Sequence, residues 1–230
     1  MTLLVLDEGK HHVVVDKPYN MVVVAGRGVP RPTLLDLAQE KWGKGIKPVH
    51  RIDRVTSGCC ILAKSTYGQQ ALSDAFRRHL IEKKYLVIIE GKPSFTSLNI
   101  DARLERIDDL KAKKGYLATQ TINEEGKRAL TRVQVWASND NFAVVLAKPQ
   151  TGRMHQIRAH LAHVGHPIVG DKQYGAKTAF GIHAIALFAW SVSFPLPEGG
   201  RRVVQATLPK SFQEFLKTQN LNIADKLKLN

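Results

Sequence analysis

His50-Arg51-Ile52-Asp53-Arg54-Val55-Thr56-Ser57-Gly58 packs one carboxylate, two guanidiniums, two hydroxyls and a glycine into nine residues. Lys47-Pro48-Val49 precedes it, and Cys59-Cys60-Ile61-Leu62-Ala63 follows as an apolar run that reads as a short buried strand. A carboxylate set between Arg51 and Arg54 is expected to stay ionised, because nearby cations favour its charged form. Thr56, Ser57 and Gly58 suit a tight turn, with hydroxyls available to backbone and carboxylate. The residue types alone also fit a surface loop with a structural Arg–Asp pair.

Outward from this stretch, Val13-Val14-Val15-Asp16-Lys17-Pro18 is a β-rich run ended by proline. Met21 to Val24 reads as a second short strand and Ala25 to Pro32 as a Gly/Pro/Arg loop. Thr33 is placed to cap a helix over Leu34 to Trp42. On the other side, Ser65 caps a helix expected from Thr66 to His79, with Leu72, Ala75, Phe76 and Leu80 on one face. Arg77, Arg78 and His79 end that helix, where they complement its dipole.

Lys83-Lys84-Tyr85 leads into Leu86-Val87-Ile88-Ile89-Glu90-Gly91, a buried strand. Tyr85 alone reads as a core residue with its hydroxyl at the rim. Residues 93 to 116, with Arg103, Arg106, Lys111, Lys113 and Lys114, suggest a strand and then a basic loop, solvated or in contact with phosphate. Gly126 to Trp136 and Phe142 to Lys148 read as a hairpin around Asn139-Asp140-Asn141. Thr151-Gly152-Arg153-Met154-His155-Gln156-Ile157-Arg158 opens a helix with Ile157, Leu161 and Val164 on its apolar face and Arg158 directed elsewhere. Gly165-His166-Pro167-Ile168-Val169-Gly170-Asp171 and Tyr174 follow. A buried strand is expected from His183 to Pro195, another from Val203 to Leu208, a helix from Lys210 to Leu216, and fraying over residues 218–230.

Three of these segments together resemble the RluA-type RNA pseudouridine synthases. The central stretch is similar to that family's His-Arg-Leu-Asp-x-x-Thr-Ser-Gly signature, with Ile52 in place of Leu. Lys83-Lys84-Tyr85 is similar to its Lys-x-Tyr motif, and residues 151–158 with 165–171 to its Thr-Gly-Arg-x-His-Gln-x-Arg and Gly-x-Pro-x-x-Gly-Asp motifs. Asp16-Lys17-Pro18 resembles the family's first motif, although Tyr19-Asn20 stands where a small residue and glycine are usual. The resemblance spans roughly residues 12 to 195.

It implies Asp53 as catalytic nucleophile, Tyr85 against the target base, and Arg158 as the arginine paired with Asp53. It further implies substrate or RNA contacts for Arg51, Thr56, Arg153, His155 and Gln156, while Arg54, at a variable position of the motif, is expected to contact phosphate. The implied fold is the pseudouridine synthase fold: α+β, a large, mostly antiparallel mixed sheet flanked by helices and loops. One catalytic domain over residues 1–230 is expected, with its core at about 12–208 and no S4-like RNA-binding module. The implied reaction converts uridine in RNA to pseudouridine and uses no cofactor.

Composition agrees with this reading. With 34 Lys and Arg against 20 Asp and Glu in 230 residues, the formal net charge is +14, spread along the chain. Such a field concentrates polyanions, so structured RNA (a ribosomal or transfer RNA stem-loop) is the expected partner. Hydrophobic residues make up 43%, enough for a core. Adjacent Cys59 and Cys60 form neither a disulfide framework nor a CxxC redox site. No N-terminal signal segment appears and no run approaches the roughly 20 apolar residues that span a bilayer, so a cytoplasmic protein without membrane contact is expected, with a monomer as the default.

Rival chemistries fit less well. His155, His160, His163 and His166 do not share one helical face and lack a completing cysteine or carboxylate, so no metal site is assigned. A Gly-x-Ser-x-Gly elbow, a Walker loop and a dinucleotide fingerprint are all absent. The alternative from another class is a non-catalytic basic RNA-binding or chaperone protein on the same fold.

Overall fold

The computed structural model describes residues 2–26, 31–109, 117–181 and 184–228. Lys111, Lys113, Lys114, His183 and part of the 25–32 loop lie outside the described residues. The chain divides into two compact units: Met1–Lys84 with Phe188–Thr207, and Tyr85–Leu187 with Leu208–Asn230.

In the first unit, β1 (Leu4–Glu8) and β2 (His12–Lys17) form an antiparallel hairpin. Next come α1 (Leu34–Trp42), β3 (Lys47–Pro48), β4 (Ser57–Ala63) and α2 (Thr66–Arg77). Strand β2 pairs antiparallel with β4 from His12↔Ala63 to Lys17↔Gly58, and β3 pairs with the end of β4. Strand β4 runs parallel to β10 (Leu187–Pro195), which pairs antiparallel with β11 (Arg201–Gln205), so this sheet is mixed. Val13, Val14, Val15, Cys60, Ile61, Leu62 and Ala63 are all buried, as expected for strands covered on both faces.

Both helix starts were legible. Thr33 and Asp36 form a reciprocal capping box, and the Ser65 hydroxyl accepts from the Gly68 N–H at 3.0 Å. The strand expected at Met21–Val24 is absent. The carbonyls of Val22 and Val23 instead accept from the N–H groups of Leu34 and Leu35 at 2.9 and 3.0 Å, so that backbone serves the start of α1. The α2 face is also shorter than expected. The helix ends at Arg77, His79 turns left-handed at φ 56°, and Leu80 is left exposed.

The second unit holds an antiparallel sheet ordered β5-β9-β8-β6-β7: β5 (Glu82–Glu90, of which residues 82–84 count with the first unit), β6 (Ser97–Asp109), β7 (Leu117–Ile122), β8 (Lys127–Ser138) and β9 (Phe142–Pro149). The β8–β9 turn forms as its asparagines suggest, with Asn139 Oδ1 accepting from the N–H groups of Asn141 and Phe142. Helix α3 (Gln156–His163) lies on the face that carries Thr131, whose hydroxyl bonds Gln156 and His160. Helices α4 (Lys210–Thr218) and α5 (Ala224–Lys228) close the chain. The stretch expected to fray thus holds α5, and Leu221 and Ile223 before it are buried. No helix among the described residues is long and apolar enough to cross a membrane.

Candidate active site

Asp53 sits, half-buried, at the start of the turn leading into β4. The Thr56 N–H donates to the Asp53 carbonyl at 3.1 Å and closes that turn. Gly58 ends it at φ 108°, and a Cβ there would meet the Ala189 carbonyl oxygen at 2.3 Å. Only glycine fits both the torsion and the contact. Arg51 and Arg54 are exposed, whereas Thr56 is buried with its hydroxyl unbonded.

Beneath the turn lies Lys17, fully buried. Its ammonium donates to the carbonyls of Pro18 at 2.8 Å, Met21 at 2.7 Å and Arg54 at 3.3 Å. Desolvation pulls its pKa down to about 8, while the carboxylates of Asp53 and Asp16 act in the opposite direction. A cation thus ties the backbone next to Asp53 to the 18–21 loop and lies within the electrostatic reach of the carboxylate. The resemblance at Asp16-Lys17-Pro18 implies no role for Lys17. The readable signal was a lysine inside an otherwise buried strand.

His50, the first residue of the signature, has a structural task. Its Nε2 accepts from the Ile61 N–H at 2.9 Å and its ring stacks on Phe76 with centroids 4.7 Å apart. Burial, and then the Lys83 charge, push its pKa down to about 3, so the ring is neutral and able to accept.

Tyr85 and Arg158 belong to the second unit. Tyr85 is half-buried near the start of β5, opposite Ala147 of β9. Arg158, on α3, is buried and held on several sides. Its Nε and Nη2 donate to the two carboxylate oxygens of Asp171 at 2.6 and 2.8 Å, and Nη2 also reaches Gln173 Oε1 at 2.8 Å. Its guanidinium lies over the Tyr174 ring, 4.8 Å from the centroid. Buried charges need such partners, because desolvation otherwise costs several kcal/mol. The motif places Asp171 and Tyr174 near this helix in sequence, but nothing in their spacing signals that they hold its arginine.

The rest of the motif is woven into the same network. His155 adopts a left-handed backbone at φ 51° and its Nδ1 lies 3.1 Å from the Tyr174 hydroxyl, which accepts from the Gln120 N–H. Burial and then the Arg158 charge push the His155 pKa down to about 4. Gln156 is buried and bonded at both ends: Nε2 donates to the Leu130 carbonyl and the Thr131 hydroxyl, while Oε1 accepts from the Thr151 hydroxyl and the Arg153 N–H. Arg153 is exposed, with its Nε donating to the Arg128 carbonyl at 3.2 Å.

The first unit therefore presents a turn-held carboxylate over a buried ammonium. The second presents an oriented guanidinium and a tyrosine at a strand start. Chemically, a carboxylate can serve as a nucleophile, a phenol as an aromatic platform and a fixed guanidinium as a source of charge stabilisation.

Residues 11–163 match the family described as RNA pseudouridylate synthase. An uncharacterized RNA pseudouridine synthase of Zymomonas mobilis is 35% identical over 88% of this chain and 92% of its own. Ribosomal large subunit pseudouridine synthase C of Buchnera aphidicola is 31% identical over 93% of this chain and 70% of its own. The structure of human RNA pseudouridylate synthase domain containing 4 superposes with a TM-score of 0.77, covering 95% of this chain and 94% of that one at 24% identity, which establishes the fold. The chain belongs to the RNA pseudouridylate synthase family and is an isomerase acting on uridine in RNA.

Proposed function

We propose that the protein isomerises one or a few uridines of ribosomal RNA, reached by base flipping, with Asp53 as the nucleophile. The observation that carries this reading is the Asp53 turn, closed by Thr56, ended by Gly58 and underpinned by the Lys17 ammonium. The choice of ribosomal over transfer RNA rests on the names of relatives, which include ribosomal large subunit synthases C and D.

In this proposal the basic surface holds the RNA backbone and the target uridine leaves its stack, at a cost of a few kcal/mol. Asp53 attacks at C1′, or removes a sugar proton in a glycal route, as the N1–C1′ bond breaks. The freed uracil turns over and C5 bonds to C1′, as the Asp53–C1′ bond breaks or, in the glycal route, as the proton held by Asp53 returns to C2′. The C5 proton is then lost and N1 gains one, so the sum is an isomerisation that needs no redox partner or energy input.

Tyr85 stacks on the uracil and relays the C5 proton. Arg158 pairs with Asp53 and keeps it ionised, with Asp171 fixing the guanidinium. Arg51 fills the space vacated by the flipped base, while Arg54 and Arg153 hold phosphates. Thr56, His155 and Gln156, each tied into its loop, shape the surface that meets the nucleotide.

The test is tritium release from [5-³H]uridine-labelled transcripts of large-subunit ribosomal RNA, with transfer RNA transcripts alongside. Release from ribosomal RNA by the parent protein and not by Asp53→Asn is expected. Release from transfer RNA alone would overturn the substrate assignment, and full turnover by Asp53→Asn would overturn the role of Asp53.

A further inference from the structure

The sheet of the second unit carries a polar patch that the proposed chemistry does not use. Register sets Asn99, Arg132 and Lys148 abreast on β6, β8 and β9, with Ser97, Gln134 and Leu146 abreast in a neighbouring row. Side chains alternate along a strand, so both rows lie on the face opposite Thr131 and Val133. Since Thr131 receives Gln156 and His160 of α3, the patch is on the side of this sheet away from Arg158 and its network. A groove of about 300 Å³ opens over these two rows.

The charges in that groove are arranged at a cost. Arg132 is exposed, Lys148 half-buried, and the two stand directly opposite one another on adjacent strands. Like charges so placed destabilise a strand pair. Elsewhere on the same sheet the exposed Arg128 takes the carboxylate of Asp101 at 2.8 Å, so pairing is available to a cation on this surface. Among the described residues neither Arg132 nor Lys148 has an ion pair. Beside the two cations stand the hydroxyl of Ser97 and the amides of Asn99 and Gln134, neutral groups that can donate to an oxyanion. Two unpaired cations flanked by neutral donors are complementary to the evenly spaced, singly charged oxygens of a phosphodiester chain.

We propose that this groove binds a phosphodiester segment of the RNA through Arg132 and Lys148, apart from the nucleotide that is isomerised. The proposal rests on the RNA substrate argued above and extends it to a second contact surface, which reads backbone charge and not base identity. It would lengthen the RNA footprint beyond the target stem-loop and favour a large folded RNA over an isolated short one.

The test is binding of fluorescently labelled oligouridylate by fluorescence anisotropy between about 50 and 200 mM salt, where phosphate contacts dominate the salt dependence. The proteins are the parent, Arg132→Gln/Lys148→Gln, and a control of equal charge loss in the first unit, Lys10→Gln/Lys44→Gln. Losing two single-strand phosphate contacts should make the slope of log affinity against log salt shallower by about 1.4. The groove variant is expected to show that change and several-fold weaker binding, with an unfolding midpoint equal to or above the parent's because a repulsion has gone. The control is expected to change the slope much less.

Equal losses in both variants would mean that only the overall charge matters, and no loss would mean that the groove takes no RNA; either overturns the proposal. Weaker binding of labelled polyglutamate, with oligouridylate unaffected, would assign the groove to an acidic polypeptide and overturn it as well. Tritium release separates this proposal from the one above. Intact release with no slope change defeats the groove alone, whereas a slope change without release from any RNA defeats the assigned function alone.

Discussion

Arg158 and Asp171 form a buried two-pronged ion pair, with Nε and Nη2 of the guanidinium 2.6 and 2.8 Å from the two carboxylate oxygens. They lie thirteen positions apart, and the pair clamps α3 to the short 3-10 turn at Lys172–Tyr174. Removing one partner of such a pair strands the other's charge in a poorly solvated place. Asp171→Ala is therefore expected to cost about 3–5 kcal/mol in denaturant unfolding and to abolish turnover. The double replacement Arg158→Met/Asp171→Leu should recover most of that stability without restoring turnover, because apolar side chains can fill the site but cannot carry its charge. Recovery of turnover in the double variant would show that the guanidinium is only structural.

Stability should fall on the acid side because of buried neutral histidines. His50 is pushed down to about 3, and His155 and His160 to about 4, mainly by burial. The unfolded chain takes up these protons near pH 6.5 while the native protein does not, so acid favours unfolding. The contribution is complete above about pH 6.5 and is lost as pH falls towards about 4. Chemical unfolding midpoints across that range should decline, and His50→Gln, which keeps an acceptor for the Ile61 N–H, should flatten part of the decline. A midpoint independent of pH would contradict the neutral, buried state of these rings.

Lys17→Met removes the donor from three carbonyls, those of Pro18, Met21 and Arg54. Relief from burying an ammonium offsets part of the loss, so a net destabilisation of about 1–3 kcal/mol is expected. The larger effect should be on turnover, since the backbone beside Asp53 loses its anchor. Tritium release under single-turnover conditions checks this, and an unchanged rate would disconnect Lys17 from the position of Asp53.

Gly58→Ala meets two obstacles at once, a φ of 108° and an oxygen 2.3 Å from the new Cβ. Strain of this kind costs about 1–3 kcal/mol, and the parallel pairing of Gly58 with Ala189 must shift to relieve it. Thermal unfolding should show the loss, with turnover falling further than stability. A variant as stable as the parent would mean that β10 can withdraw at no cost.

Much of this was legible from local chemistry. Thr33 and Ser65 cap their helices as their positions suggest, and the Asn139 turn joins the expected hairpin. What escaped was decided by non-local partners. Met21–Val24 has strand-like residues, but its carbonyls are claimed by the first turn of α1. Strand β1 and strand β7 lack a strong alternating pattern, and each forms because a neighbouring strand offers a ladder. For the candidate site, the resemblance to the family pointed to Asp53, Tyr85 and Arg158. The supports Lys17 and Asp171 appear only once their hydrogen bonds are seen, because no local pattern tells a buried, satisfied charge from a solvated one.

The measurement that bears most directly on the central claim is pseudouridine mapping by carbodiimide treatment and reverse transcription. Total RNA would be compared from cells with the protein, without it, and with only the Asp53→Asn form. The prediction is a stop at one or a few ribosomal RNA uridines that vanishes without the protein, returns with the parent and stays absent with Asp53→Asn. A stop restored in full by Asp53→Asn, or a map indifferent to the protein, would contradict it.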